Sequence, residues 1–341
     1  MRSIETAVEG RMLSAVSLRH CKINIPPPLY TCDMNTSTLE TNALTKFWHL
    51  LHSVIQEILA ITEPHIEEAA VRNNIPVELY YYAELGLNTF SVEEFQHRDP
   101  FSNTEQFERL FPRLEIKGWI VPMRDEGRYE VTKRAQDAVR QIVQAGDAQL
   151  VKFEPATDVD LDRLLAFLKQ LVLANNVMPE PPEKWAIARR FHVANKSSPV
   201  MVQVRECLMD IFAYHDDAHL SAARPHFNLA GIVWSVLGAV ATGSAVTAEQ
   251  MAETLAFRGY EMAEYEVAVK AAIEVGWLEV ADVADTFRPT SKGRKMREQV
   301  EKLTDEYFYR PWVTFSTNEL DEFYNLLTKL REQLHGFKKI A

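Results

Sequence analysis

Five cationic residues gather in one short stretch of the chain: Arg109, Arg113, Lys117, Arg124 and Arg128. Arg109 and Arg113 stand four apart, so on a helix they share a face. Guanidinium and ammonium groups in such a row form charge-assisted hydrogen bonds to phosphate oxygens. Lys133, Arg134 and Arg140 extend the basic run, while Glu105, Glu108 and Glu115 are interleaved with it. The competing reading is therefore a solvated helix laced with ion pairs.

A second candidate is the polar run Tyr214-His215-Asp216-Asp217-Ala218-His219, with His226 nearby. His215 and His219 are also four apart, a workable spacing for two metal-ligating imidazoles, which Asp216 or a distant carboxylate would complete. The H-E-x-x-H signature is absent. The plainer alternative has Asp216 and Asp217 capping a helix or pairing with Arg189, Arg190 or Arg224. The aromatic stretches Tyr80-Tyr81-Tyr82 and Tyr307-Phe308-Tyr309-Arg310-Pro311-Trp312 fit a core or interface better than a ligand pocket. None of the glycine-rich nucleotide-binding motifs and no G-x-S-x-G occurs. No cofactor is expected, and an enzyme, metal-dependent through the two histidines, is the lesser reading.

The elements that must hold these residues are mostly helical. The 341-residue chain has 47% hydrophobic residues and only 12 glycines, which favours helices over an open α/β sheet. Its net charge of −11 argues against a protein that lives wholly on phosphate contacts but leaves room for a local basic face. Cys21, Cys32 and Cys207 form no CxxC pair. No apolar run of about 18 residues is present to span a membrane, and a cytoplasmic protein is expected. Residues 1–33, with Pro26-Pro27-Pro28, differ from the rest; they read as disordered or as a misassigned extension ahead of Met34.

From Leu44 to Ile61 apolar residues recur at helical spacing, and Pro64 is expected to close that helix. Shorter helices follow over 64–73 and from Pro76 to Leu85. Ser91 and Ser102 then open two helices, the second carrying Phe107, Leu110, Phe111 and Leu114, with a kink expected at Pro112. Trp119-Ile120-Val121 and Tyr129-Glu130-Val131 read as a hairpin turning at Asp125-Glu126-Gly127, and Thr132 caps the next helix. The second half repeats this order: Thr247 caps a short helix, a longer one runs from Met262 to Val275, and Gly276-Trp277-Leu278 opens a hairpin that returns through Phe287-Arg288-Pro289 to Thr290. Gly118-Trp119 and Gly276-Trp277 lie 158 residues apart, and so do Thr132 and Thr290. Between the two halves come helices over 161–172, 185–193 and 201–220, and an amphipathic helix over 318–334 ends the chain, to pack on a core or pair with a second subunit.

This order of helix, short helix, longer helix ending in Gly-Trp, hairpin, T-x-x-[AG] and helix resembles the winged helix-turn-helix superfamily, and within it the MarR and PadR types of bacterial regulator. The resemblance covers about 75–145 and 229–305. It implies a mainly α fold with small β-hairpins, in which two winged helix-turn-helix modules are joined by a helical linker region. The expected domains are 1–33, 34–145 with the first module, 146–228, 229–312 with the second module, and 313–341. The resemblance further implies a DNA-binding, transcription-regulator-like protein whose first module meets duplex DNA through Arg109, Arg113, Lys117, Arg124 and Arg128, with a homodimer or another protein as further partner. In the second module the corresponding helix carries Glu261, Glu264, Glu266 and Glu274 against Lys270. Phosphates would repel it, which makes that copy structural or protein-binding. Were both copies so, the chain would be a non-DNA-binding adaptor.

Overall fold

The computed structural model describes residues 36–83, 86, 88–124, 127–156, 159–226, 230–283 and 285–338. The expected extension 1–33, the Met34 start and most of the turn at Asp125-Glu126 lie outside them. In chain order the elements are α1 (Thr36–Arg72), α2 (Glu78–Ala83), β1 (Thr89–Ser91), α3 (Val92–Arg98), α4 (Thr104–Ile116), β2 (Ile120–Pro122), β3 (Arg128–Val131), α5 (Lys133–Leu150), α6 (Leu161–Val177), α7 (Trp185–Arg189), α8 (Val200–Ala223), α9 (Gly231–Thr242), α10 (Ala248–Thr254), α11 (Met262–Glu274), β4 (Leu278–Val280), β5 (Phe287–Pro289), α12 (Ser291–Tyr309) and α13 (Thr317–Lys338). The chain is thus mainly α with two small antiparallel sheets, as its sequence predicts. It divides into two compact units, one of Asn88–Thr132 and Ala222–Lys302, the other of Asp33–Leu87, Lys133–Ser221 and Leu303–Ala341.

In the second of these units, α1 packs on α5 and α13. Phe47, Leu50, Leu51, Val54, Ile55, Ile58 and Leu59 form its buried stripe. Contrary to the sequence reading, Pro64 does not close this helix. Ile66, Ala69 and Ala70 continue the buried stripe beyond it, and that burial outweighs the single N–H the proline removes. The terminal helix α13 folds back on the core of its unit through Phe323, Leu327, Leu330 and Leu334. Trp312 is buried against Phe47 (ring centroids 4.8 Å apart) and Phe323, so the aromatic run near 310 is core. The helix expected over 185–193 stops at Arg189, because the backbone beyond it is drawn onto α8 by carboxylates described below.

The first unit holds two segments with the same order of elements and the same backbone hydrogen bonds. In the earlier one the amides of Gly118 and Trp119 donate to the carbonyls of Glu115 (2.8 Å) and Leu114 (2.9 Å). In the later one Gly276 and Trp277 donate to Ile273 (2.8 Å) and Ala272 (2.8 Å). Gly118 (φ +70°) and Gly276 (φ +74°) turn the chain from helix to strand in the left-handed region, which only glycine enters cheaply. Thr132 and Thr290 close the loop, each donating its amide to the tryptophan carbonyl (3.0 and 2.9 Å) and its hydroxyl to the glycine carbonyl (3.2 and 2.6 Å). The threonines thus tie the end of one helix to the start of the next.

The sheets differ. In the earlier segment β3 lies between β2 and β1, a strand the sequence reading missed, with Phe90 opposite Tyr129 and Val121 opposite Glu130. In the later segment β4 and β5 pair alone, and the place of β1 is marked by one bond from the Phe287 amide to the Val246 carbonyl (2.9 Å). The earlier core is an aromatic cluster of Phe90, Phe95, Phe107, Phe111 and Tyr129. The later one is built mainly from aliphatic residues, with the fully buried Tyr265, around an edge-on Trp234–Trp277 pair.

Candidate nucleic-acid interface

Helix α4 is set by its own sequence. Asn103, not the predicted Ser102, is the N-cap: its side-chain oxygen accepts the Glu105 amide (3.1 Å), while the Ser102 hydroxyl donates to the carboxylate of Asp99. Phe107, Phe111 and Leu114, at helical spacing, turn one face into the core. The helix continues through Pro112 to Ile116. On the opposite side Arg109 and Arg113 are exposed along one flank, with Ile116, 86% exposed, on the ridge beside them. Lys117 is the exposed C-cap, and Arg124 is exposed at the end of the outgoing wing strand.

Among the described residues no carboxylate pairs with Arg109, Arg113 or Arg124. Glu108 and Glu115 lie on the other flank of the helix; Glu105 stands one turn before Arg109 on the same face, but among the described residues it forms no ion pair with it. Arg128 is different: it is half-buried, 3.5 Å from the carboxylate of Glu94 and 3.3 Å from the Thr89 hydroxyl, and it fastens β3 to β1 and α3. The structure thus brings four of the five predicted cations to the outer side of one helix and wing, and gives the fifth a tethering role.

The later segment carries a different surface on the same scaffold. Under the 158-residue shift, Arg109 and Arg113 become Val267 and Ala271, Ile116 becomes Glu274, and Arg124 becomes Asp282. Val267 is exposed, as are Glu266 and Glu274. The one wing cation, Arg288, lies 2.9 Å from Glu279 and 3.4 Å from Asp282. Glu261 caps α11, and the Glu264 side chain accepts the Glu261 amide (2.8 Å), a reciprocal capping box that the sequence reading did not identify.

His215 and His219 lie on α8, in the other unit. The His215 ring stacks on the Trp48 indole, 3.5 Å away and within 7° of parallel, and meets Phe308 edge-on. Burial, with His219 and His52 close by, holds its pKa well below the usual imidazole value. The Nδ1 of His219 is 3.4 Å from the Thr304 hydroxyl. Asp217 is engaged as a helix cap, taking the amides of Ala186 (2.8 Å) and Ile187 (3.0 Å) at the start of α7. Among the described residues no group of three His, Cys, Asp or Glu side chains is placed to hold a metal ion.

A buried charge network on α8 escaped the sequence reading. Glu206 pairs with Arg190, lies 3.2 Å from Arg205, and accepts the amides of Val193 (3.1 Å) and Ala194 (3.0 Å). Burial opposes its charge, but the two arginines and two amides prevail and hold its pKa at about 2. Asp210 accepts from Arg190 (2.6 Å) and lies 2.8 Å from His192, whose pKa this hydrogen bond raises. Asp147 on α5 is 2.8 Å from Arg205. The local sign is that Arg205, Glu206 and Asp210 interrupt the mostly apolar first half of α8, the two carboxylates four apart. The network fastens the 190–194 backbone to α8, and every charge in it has a partner.

Residues 214–338, which contain the end of α8, α9 to α13 and the β4–β5 hairpin, match the model of a helix-turn-helix family. No curated protein and no solved structure matches the chain. Among the described residues no helix is long and apolar enough to cross a membrane.

Proposed function

We propose that this chain is a duplex-DNA-binding, regulator-like protein built on tandem winged helix-turn-helix modules, and that the first module makes the contact. The observation that carries this reading is the open basic flank of α4 and its wing: Arg109, Arg113 and Arg124 are exposed and free of carboxylates among the described residues. Lys117 extends the same row, and Arg128 holds the wing in place. The helix-turn-helix match supports the reading for the second half, and the shared hydrogen-bond pattern of the two segments extends it to the first. Cations presented this way would displace counterions from a phosphate backbone, a gain that is largest at low salt.

The second module has Val267, Ala271 and Asp282 where the first has cations, so its role on this reading is contact with protein rather than with phosphate. Fluorescence anisotropy with a labelled duplex of about 30 base pairs at low salt tests the proposal. Binding by the intact chain, weakened by Arg109→Ala with Arg113→Ala, is expected. Absence of binding under those conditions would end the DNA reading and favour the adaptor.

A further inference from the structure

The turn of each helix-turn-helix is packed against the other. In the first segment this turn is residues 99–103, between α3 and α4; in the second it is 255–261, between α10 and α11. The amide of Asn103 donates to the Arg258 carbonyl (2.7 Å), and its side-chain nitrogen donates to the Gly259 carbonyl (3.2 Å) and the Glu264 carboxylate (3.3 Å). Arg258, side chain largely buried, lies over the Phe101 ring at 5.0 Å and 3.7 Å from the Asp99 carboxylate. Gly259 (φ +73°) sits so close that a Cβ there would lie 3.3 Å from the Gln106 side-chain oxygen. At Gly231 the fit is tighter still: a Cβ would lie 1.9 Å from the Pro100 carbonyl oxygen. Arg224 adds a bond to the His97 carbonyl (2.7 Å).

Glu264 is the pivot. One of its oxygens takes the amide of Glu261 at the start of α11, and the other takes the side chain of Asn103 at the start of α4. A carboxylate placed between two helix N-termini satisfies both dipoles at once. It also occupies the end of α4 that a helix-turn-helix protein offers to base edges, since in such proteins the first residues of the second helix enter the major groove. The open cations lie elsewhere, from the second turn of α4 onward and beside the wing.

We infer that the two helix-turn-helix turns cap one another and keep Asn103 and Gln106 at the start of α4 from bases, leaving there the exposed carboxylate of Glu105, so that the ligand class of this protein is the duplex phosphate backbone with little regard to sequence. The consequence for DNA rests on the function proposed above; the capping itself does not.

Two measurements on the full chain test it. In the first, unrelated duplexes of equal length are titrated against the intact protein. Affinities within about threefold of one another are expected, whereas sequence-specific readers separate their sites from other DNA by about a thousandfold or more. In the second, amide hydrogen exchange is followed over residues 101–107 in the intact chain and in Asn103→Asp. This variant keeps a good N-cap but sets a second carboxylate against Glu264. Exchange at the residue-103 amide, which donates to the Arg258 carbonyl in the intact chain, is expected to speed up at least tenfold in the variant. Glu264→Ala serves as a second variant, should Asn103→Asp fold poorly. A hundredfold preference of the intact chain for one duplex, or unchanged exchange in both variants, would overturn the inference. Should no duplex bind, the DNA reading fails, and the exchange experiment alone decides whether the turns cap one another.

Discussion

The two segments around Trp119 and Trp277 present opposite surfaces on one backbone plan. Both turn from helix to strand through a glycine at positive φ, bury the tryptophan that follows, and tie back through a threonine 13 residues beyond the tryptophan. Those residues fix the path of the chain, so they agree. The outward positions have no such duty, and they diverge: Arg109, Arg113 and Arg124 in one, Val267, Ala271 and Asp282 in the other. The family match and the basic flank fall on different copies, the match on the later segment and the open arginines on the earlier. A scaffold thus reports where a surface is held; the charges on it report what that surface can touch.

The largest test of this shared plan is at the tryptophans. Trp119 and Trp277 are 4% and 6% exposed, and replacing either with alanine is expected to cost about 3–5 kcal/mol. Chemical denaturation would show it, with similar losses for the two variants; a loss at one site only would break the equivalence.

A smaller effect is expected at Gly293. Its Cβ would lie 2.2 Å from the Trp277 carbonyl oxygen, so Gly293→Ala should destabilise by about 1–3 kcal/mol, although Ala135 stands 158 residues earlier at the corresponding place in the first segment. An unfolding midpoint equal to that of the intact chain would mean that the two closing helices sit alike.

The smallest effect concerns the surface. Val267→Arg with Ala271→Arg would give the later segment the cations of the earlier one, and on the proposed function duplex affinity at low salt should rise by about a fewfold at most, because Glu266 and Glu274 remain beside them. A decrease on anisotropy titration would show that this flank is not open to DNA at all.

Much of the scaffold was legible in the sequence because its punctuation is local. Glycine before tryptophan, a threonine at fixed distance and polar caps before apolar stripes each act within one turn of chain, and these placed both hairpins and their flanking helices. What depends on distant partners was not legible. Strand β1, only Thr89-Phe90-Ser91, exists because β3 accepts it. Pro64 reads as a stop, yet the burial of Ile66, Ala69 and Ala70 carries α1 through it. Of the candidate site, the cations at 109, 113, 117 and 124 were found from spacing. The tether of Arg128 to Glu94, the charge network around Glu206 and the grip of residues 258–264 on Asn103 join residues far apart in the chain, and no local pattern announces them.

The most direct test of the central claim is the salt dependence of duplex binding, measured for the intact chain and for Arg109→Ala, Arg113→Ala and Arg124→Ala combined. If these arginines meet phosphates, the slope of log affinity against log salt should flatten by about 3 units in the triple variant. A slope equal to that of the intact chain would contradict the account.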